Sequence, residues 1–169
     1  MQRKQNTTKI IFILYVFMLL WLVLFKMALS FDQILLLQSA RSVNVIPFYY
    51  STDVGRIHTR EVVLNVLAFV PMGVYLQMLT IPSKKAILYG CASSLALEVC
   101  QFVFAIGASD ITDMITNTLG TAVGVCLYVV FRKLFSDKQK ADRIINRIAS
   151  VVLVLFGILT LLLFFSNRQ

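Results

Sequence analysis

Acidic and amide side chains cluster in a stretch of this chain that is otherwise apolar. The cluster contains Glu98, Gln101, Asp110, Asp113 and Asn117, and its three acids belong to a total of eight Asp and Glu. Neighbouring carboxyl groups can share a proton, act as general acid and base, or bind Mg²⁺ or Ca²⁺ through oxygen. Carboxylates and amides can also bind a polar headgroup, so the surrounding elements decide between these roles.

The composition shows that these side chains lie in a membrane protein. Hydrophobic residues make up 59% of the chain, and the mean hydropathy is +0.82. Five apolar stretches approach the roughly 20 residues that a helix needs to cross a bilayer. We predict an all-α, polytopic helical bundle that forms a single membrane domain over residues 1–169, with an outer loop at 30–61 and transmembrane helices at 10–29, 62–79, 86–106, 111–131 and 148–165. Polar groups inside a bilayer are costly and usually serve function or packing.

The distribution of basic residues predicts the orientation. With the amino terminus in the cytoplasm, that side receives Arg3, Lys4, Lys9, Lys84, Lys85, Arg132, Lys133, Lys138, Lys140, Arg143 and Arg147. The positive-inside rule therefore favours a cytoplasmic amino terminus and an external carboxyl terminus. The first stretch is expected to remain as a helix, because it is longer than the core of a cleaved signal. The net charge of +8 then reflects topology and contact with anionic lipid, and nucleic acid is not expected as a partner.

Helical periodicity places the polar residues on common faces. At 100° per residue, Asp113, Asn117, Gly120 and Gly124 form one narrow stripe, and Asp110 lies near its outer end. The Gly120–Gly124 pair forms a GxxxG pattern, which allows close approach of another helix. We expect Gly73 to allow similar local packing and Pro71 to kink the second helix.

Two other helices carry matching polar faces at a similar depth. Ser94, Glu98 and Gln101 share a face of the third helix with Cys91, and Glu61 and Asn65 share a face of the second. We predict a pocket that opens to the outer side and is lined by Asn65, Glu98, Gln101, Asp110, Asp113 and Asn117. The outer loop and the residues just before the second helix are expected to contribute Arg41, Asn44 and His58.

Each of these residues also has a purely structural interpretation. Asp110 and Asp113 can cap the fourth helix, and the amides can form interhelical hydrogen bonds. The three cysteines have no metal-ligand spacing, and no nucleotide, zinc-protease or nucleophile motif is present. No metal or cofactor is therefore predicted, although Mg²⁺ or Ca²⁺ would suit the oxygen ligands.

Several motifs of the sequence resemble the VanZ family. They are Trp21-Leu-Val-Leu-Phe-Lys26, Arg41-Ser-Val-Asn44, Phe69-Val-Pro71-Met-Gly73, Glu98-Val-Cys-Gln101 and the run from Gln101 to Gly120. The resemblance implies a multi-pass protein of the bacterial cell membrane that raises tolerance to teicoplanin and other lipoglycopeptides. It also implies a mechanism other than rebuilding the stem peptide of peptidoglycan.

Two function classes remain open from the sequence. The protein either binds or shields a membrane lipid, a lipid-linked wall precursor or the acyl tail of a lipoglycopeptide, or it is a membrane enzyme. In the enzyme hypothesis, Glu98 and Asp113 act as acid and base or as metal ligands on a phosphorylated or glycosylated lipid. The lack of a recognisable nucleophile or metal motif favours the binding role.

Overall fold

The computed structural model describes residues 2–25, 43–48, 55–106, 109–135 and 137–166, and it confirms the all-α class. Five helices account for nearly all of these residues, and each is long and apolar enough to cross a membrane. Two strands of two residues are the remaining elements. In chain order the elements are α1 (Gln2–Phe25), β1 (Val43–Asn44), α2 (Gly55–Met78), α3 (Ser83–Phe104), β2 (Ser109–Asp110), α4 (Ile111–Lys133) and α5 (Lys138–Ser166).

Three helices begin well before the residue that hydropathy predicts. We expected the first helix from residue 10, the second from residue 62 and the fifth from residue 148, whereas α1 begins at Gln2, α2 at Gly55 and α5 at Lys138. Hydropathy marks the part of a helix that suits lipid. The polar first turns of α5 are rich in Lys, Arg, Gln and Ala, which favour helix without being apolar. The end of the predicted outer loop is therefore helical from residue 55 onward.

The centre of the bundle is a close contact between α2 and α4. A Cβ atom placed on Gly73 would overlap the carbonyl oxygen of Thr121, and one placed on Gly124 would overlap that of Val70. Gly120 approaches the carbonyl of Val66 in the same way. Small residues at such positions let two membrane helices reach backbone contact. The GxxxG pattern of α4 is thus in contact with α2.

The other helices pack around this pair with decreasing burial. The α3 helix approaches α4 at Gly90, whose Cβ position is occupied by the side chain of Thr121. The Tyr15 hydroxyl donates to the carbonyl oxygen of Ala68 at 2.7 Å, which ties α1 to α2. The α5 helix is peripheral: Ala141 near its start is buried, but none of its described residues after Ala141 is.

The ends of α2 and α3 adopt the same unusual backbone form. Each helix is followed by a residue in the left-handed region, Thr80 with φ 64° and Ala105 with φ 54°. The amide of the next residue, Ile81 or Ile106, then donates to a carbonyl five positions earlier. This is the Schellman pattern, in which glycine usually takes the left-handed position. Both helices therefore stop at a fixed point, and both turns carry backbone strain.

Candidate functional site

Asp110 connects three segments at the start of α4. One carboxylate oxygen, Oδ1, accepts from the amide of Thr112 at 2.7 Å, which makes Asp110 the N-cap of α4. The other, Oδ2, accepts from Nδ2 of Asn44 at 3.1 Å. The backbone amide of Asp110 donates to Oε2 of Glu98 at 2.9 Å. The capping interpretation of Asp110 is therefore confirmed, and the same residue also holds the segment around Asn44 against α3 and α4.

The short strands strengthen this junction. β1 pairs with β2 in parallel, with Val43 opposite Ser109 and Asn44 opposite Asp110. The amide of Phe48 donates to the hydroxyl of Thr112 at 3.0 Å. The segment 43–48 is thus attached along its length to the turn before α4.

A cavity of about 270 Å³ lies beneath this junction, and we call it the Glu98 cavity. Its lining is mostly apolar, and it comprises Val43, Asn44, Val45, Leu95, Glu98, Val99, Phe102, Ser109, Asp110, Ile111 and Met114. Glu98 itself is only 7% exposed, and its side chain already accepts the Asp110 amide. The Glu98 cavity therefore offers apolar contact with few accessible polar groups.

A larger cavity of about 540 Å³ lies between α1, α2, α3 and α4, and we call it the Asn65 cavity. Nδ2 of Asn65 donates to Oδ1 of Asp113 at 2.7 Å, which links α2 to α4. Nε2 of Gln101 donates to the Val23 carbonyl at 3.1 Å. The lining residues are Leu22, Val23, Glu61, Leu64, Asn65, Leu67, Ala68, Gln101 and Asp113.

Hydrogen-bond acceptors dominate the polar part of the Asn65 cavity. Glu61 and Asp113 supply carboxylate oxygens, which are acceptors only when ionised. Oε1 of Gln101 is buried and has no partner among the described residues. A buried acceptor without a partner gains free energy when a donor reaches it. The Asn65 cavity thus combines apolar walls with several acceptors.

Asn117 lies in the interface between α3 and α4 and lines neither cavity. It is 2% exposed, and its Nδ2 donates to Oγ of Ser94 at 2.9 Å. Its Oδ1 is buried and has no partner in the described part of the chain. The observed contact of Asn117 is therefore interhelical.

The six predicted pocket residues thus fall into three places. Asn65, Gln101 and Asp113 line the Asn65 cavity, Glu98 and Asp110 line the Glu98 cavity, and Asn117 lies in the interface. Asn44 lines the Glu98 cavity, whereas Arg41 lies outside the described residues. His58 belongs to α2, and its side chain also lies outside the described part.

Three polar residues near these cavities are not among the predicted site residues. Glu61 lines the Asn65 cavity, Thr112 accepts from Phe48, and the hydroxyl of Ser109 donates to the Glu98 carbonyl at 2.8 Å. Ser and Thr beside a helix start commonly form local backbone bonds, which was an available signal for the last two. Among the described residues, no group of three or more His, Cys, Asp and Glu is placed to hold a metal ion.

Comparisons with known proteins identify the family. The family model described as VanZ/LLP1 matches residues 12–132, from α1 to the end of α4. Protein VanZ of Enterococcus faecium is 39% identical over 144 residues, covering 84% of this chain and 85% of that protein. No solved structure matches. The five membrane-spanning helices and these matches show that the chain is a multi-pass membrane protein of the VanZ family.

Proposed function

We propose that this protein acts in the bacterial cell membrane and raises tolerance to teicoplanin and other lipoglycopeptides by binding an acylated ligand. The ligand is either the acyl tail of the drug together with the group that carries this tail, or a membrane lipid whose head has similar chemistry. Membership of the VanZ family supports the resistance role. The chemistry of the Asn65 cavity supports the binding role.

The observation that carries the proposal is the division of the Asn65 cavity into apolar and acceptor-rich parts. Leu22, Leu64 and Leu67 offer contact to an acyl chain, and the lining carboxylates of Glu61 and Asp113 place acceptor oxygens beside its head. Ligand sites in proteins are mostly apolar, with a few polar groups that fix orientation. An amphiphile whose head donates hydrogen bonds matches this lining.

The charge of the lining favours some ligands over others. Glu61 and Asp113 are both acidic and lie in the same cavity, so a phosphate would meet like charge there. Sugar hydroxyls, amides and ammonium groups can instead donate to these oxygens. An acylated sugar or amine is therefore favoured over a pyrophosphate-linked wall precursor.

The proposed orientation places the Asn65 cavity at the depth of acyl chains in the outer leaflet. With the amino terminus in the cytoplasm, the end of the bundle that carries Glu61 and Asp113 faces outward. Acyl chains of the outer leaflet and of a membrane-anchored drug lie at that depth. The peptide to which the drug binds in a distant wall layer does not lie at that depth. The proposed protection therefore acts on drugs that carry an acyl chain.

Filling the Asn65 cavity tests this function. Ala68→Phe adds bulk to a residue of the cavity lining, and Ala92→Phe makes the same change at an exposed position of α3. We expect Ala68→Phe to lower the inhibitory concentration of teicoplanin toward that of a strain without the protein. Ala92→Phe should retain protection at equal membrane abundance. Full protection by Ala68→Phe would exclude the Asn65 cavity as the binding site.

A further inference from the structure

A separate polar cavity lies at the opposite end of the bundle, and we call it the basic cavity. Its volume is about 240 Å³. The first turns of α1, the turn after α2 and the first turns of α5 surround it, and its polar lining includes Gln5, Thr8, Lys138, Asp142, Arg143 and Asn146. None of these residues contributes to the Asn65 cavity or the Glu98 cavity.

Two cations of the basic cavity keep most of their hydrogen-bonding capacity. Nζ of Lys138 donates to the carbonyl oxygen of Met78 at 3.2 Å, and Nε of Arg143 donates to the Gln139 carbonyl at 3.1 Å. An ammonium group has three donors and a guanidinium has five. Within the described ranges, neither side chain donates a hydrogen bond to a carboxylate, although Lys138 lies in the field of Asp142. Both therefore have donors for a negatively charged group.

The carboxylate of the basic cavity, on Asp142, accepts a hydrogen bond from α4 and also interacts electrostatically with Lys138. Oδ1 of Asp142 accepts from the hydroxyl of Tyr128 on α4 at 2.9 Å. With Lys138 and Arg143 positive and Asp142 negative, the lining carries a formal charge of +1. Lys84 and Lys85, exposed at the start of α3, lie at the same end of the bundle and add to the positive potential.

We propose that the basic cavity binds the phosphate of an anionic membrane lipid. Basic pockets between transmembrane helices bind such headgroups, and Arg and Lys are the usual phosphate ligands. The cavity volume of about 240 Å³ is many times the roughly 10–15 Å³ of such space that one water molecule needs, so a group larger than water can enter. The cavity lies where the apolar spans of α1, α2 and α5 end, which is where lipid headgroups lie.

Lipid binding by the purified full chain tests this proposal. The protein in neutral detergent is titrated with fluorescent phosphatidylglycerol, and phosphatidylcholine serves as the neutral comparison. The double variant Lys138→Gln/Arg143→Gln removes both cavity cations. The control Lys84→Gln/Lys85→Gln removes the same charge from exposed positions that do not line the cavity.

We expect the cavity variant to bind phosphatidylglycerol about tenfold or more weakly than the control, because charge-assisted hydrogen bonds are lost only there. Phosphatidylcholine binding should be equal in both. An equal loss in the two variants would show diffuse surface attraction and overturn the proposal. Unchanged binding in the cavity variant would overturn it as well.

Two further arms keep the result interpretable. Inorganic phosphate that displaces the labelled lipid at equal concentration would indicate a site for free phosphate and would contradict the lipid assignment. If the double variant fails to fold by circular dichroism, Arg143→Gln alone carries the test, because Arg143 is exposed. Arg143→Lys should then restore much of the binding. Equal affinities of Arg143→Gln and the unchanged protein for phosphatidylglycerol would refute the proposal.

Discussion

Replacing Gly124 by alanine should separate the two central helices. The added Cβ would lie 2.9 Å from the carbonyl carbon of Val70 and 3.1 Å from the amide nitrogen of Val74, and closer still to the Val70 oxygen. Carbon atoms pack well at about 3.5–4.0 Å. These neighbours belong to the backbone, so no side chain can rotate away, and α2 and α4 must move apart.

Two opposing contributions determine how Gly124→Ala changes the free energy of unfolding. Overpacking typically costs about 1–3 kcal/mol, and we expect the upper part of this range because Gly73 and Gly120 depend on the same close contact. Alanine in place of glycine gains about 1 kcal/mol of helix propensity. The net effect of Gly124→Ala should therefore be a loss of about 1–2 kcal/mol.

Gly157→Ala is the matched control for this substitution. A Cβ at Gly157 has no described atom within 4 Å, so only the gain in helix propensity remains, up to about 1 kcal/mol. The free energy of unfolding can be measured in mixed micelles with a denaturing detergent, with circular dichroism as the signal. Equal stabilities of the two variants would refute the close contact between α2 and α4.

Three further predictions concern the backbone, the carboxylates and the orientation. Ala105→Gly should raise the free energy of unfolding by about 1 kcal/mol in the same assay, because glycine adopts the left-handed backbone without strain. A lower free energy of unfolding would contradict the claim that Ala105 is strained. Glu98→Asp and Asp113→Glu should weaken teicoplanin tolerance only partly if the protein binds its ligand, and complete loss in well-expressed variants would favour the enzyme hypothesis. A cysteine placed at Asp137, in a background without native cysteines, should resist a membrane-impermeant thiol reagent in intact cells; labelling there would reverse the orientation.

The sequence predicts the helices well because the signal is strong and local. Apolar length alone identifies five membrane-spanning helices, and all five are present. The stripe on α4 is also informative, because Asn117, Gly120 and Gly124 share a face and all three are buried. The helix ends are less predictable, since the polar first turns of α5 carry no hydropathy signal.

Helical periodicity could not predict that the polar residues are divided between two cavities. Glu98 and Gln101 are three positions apart, so they differ by about 60° around α3. This difference is small on a helical wheel, yet Glu98 lines one cavity and Gln101 lines the other. A wheel gives the direction of a side chain and not the neighbour it meets.

The attachment of Asn44 to Asp110 depends on tertiary contact alone. The two residues are separated by 66 positions, and the strands that align them have two residues each. Pairing this short has no periodicity in the sequence to indicate it. A role for Asn44 could be suspected from its polarity, but its partner could not be identified.

The central claim is that protection depends on the acyl chain of the drug. Expression of the protein in a susceptible Gram-positive host, followed by the inhibitory concentrations of teicoplanin and vancomycin, tests this claim most directly. Teicoplanin carries an acyl chain, whereas vancomycin binds without a membrane anchor. The proposed site predicts a larger fold-increase for teicoplanin, and equal protection against both drugs would contradict it.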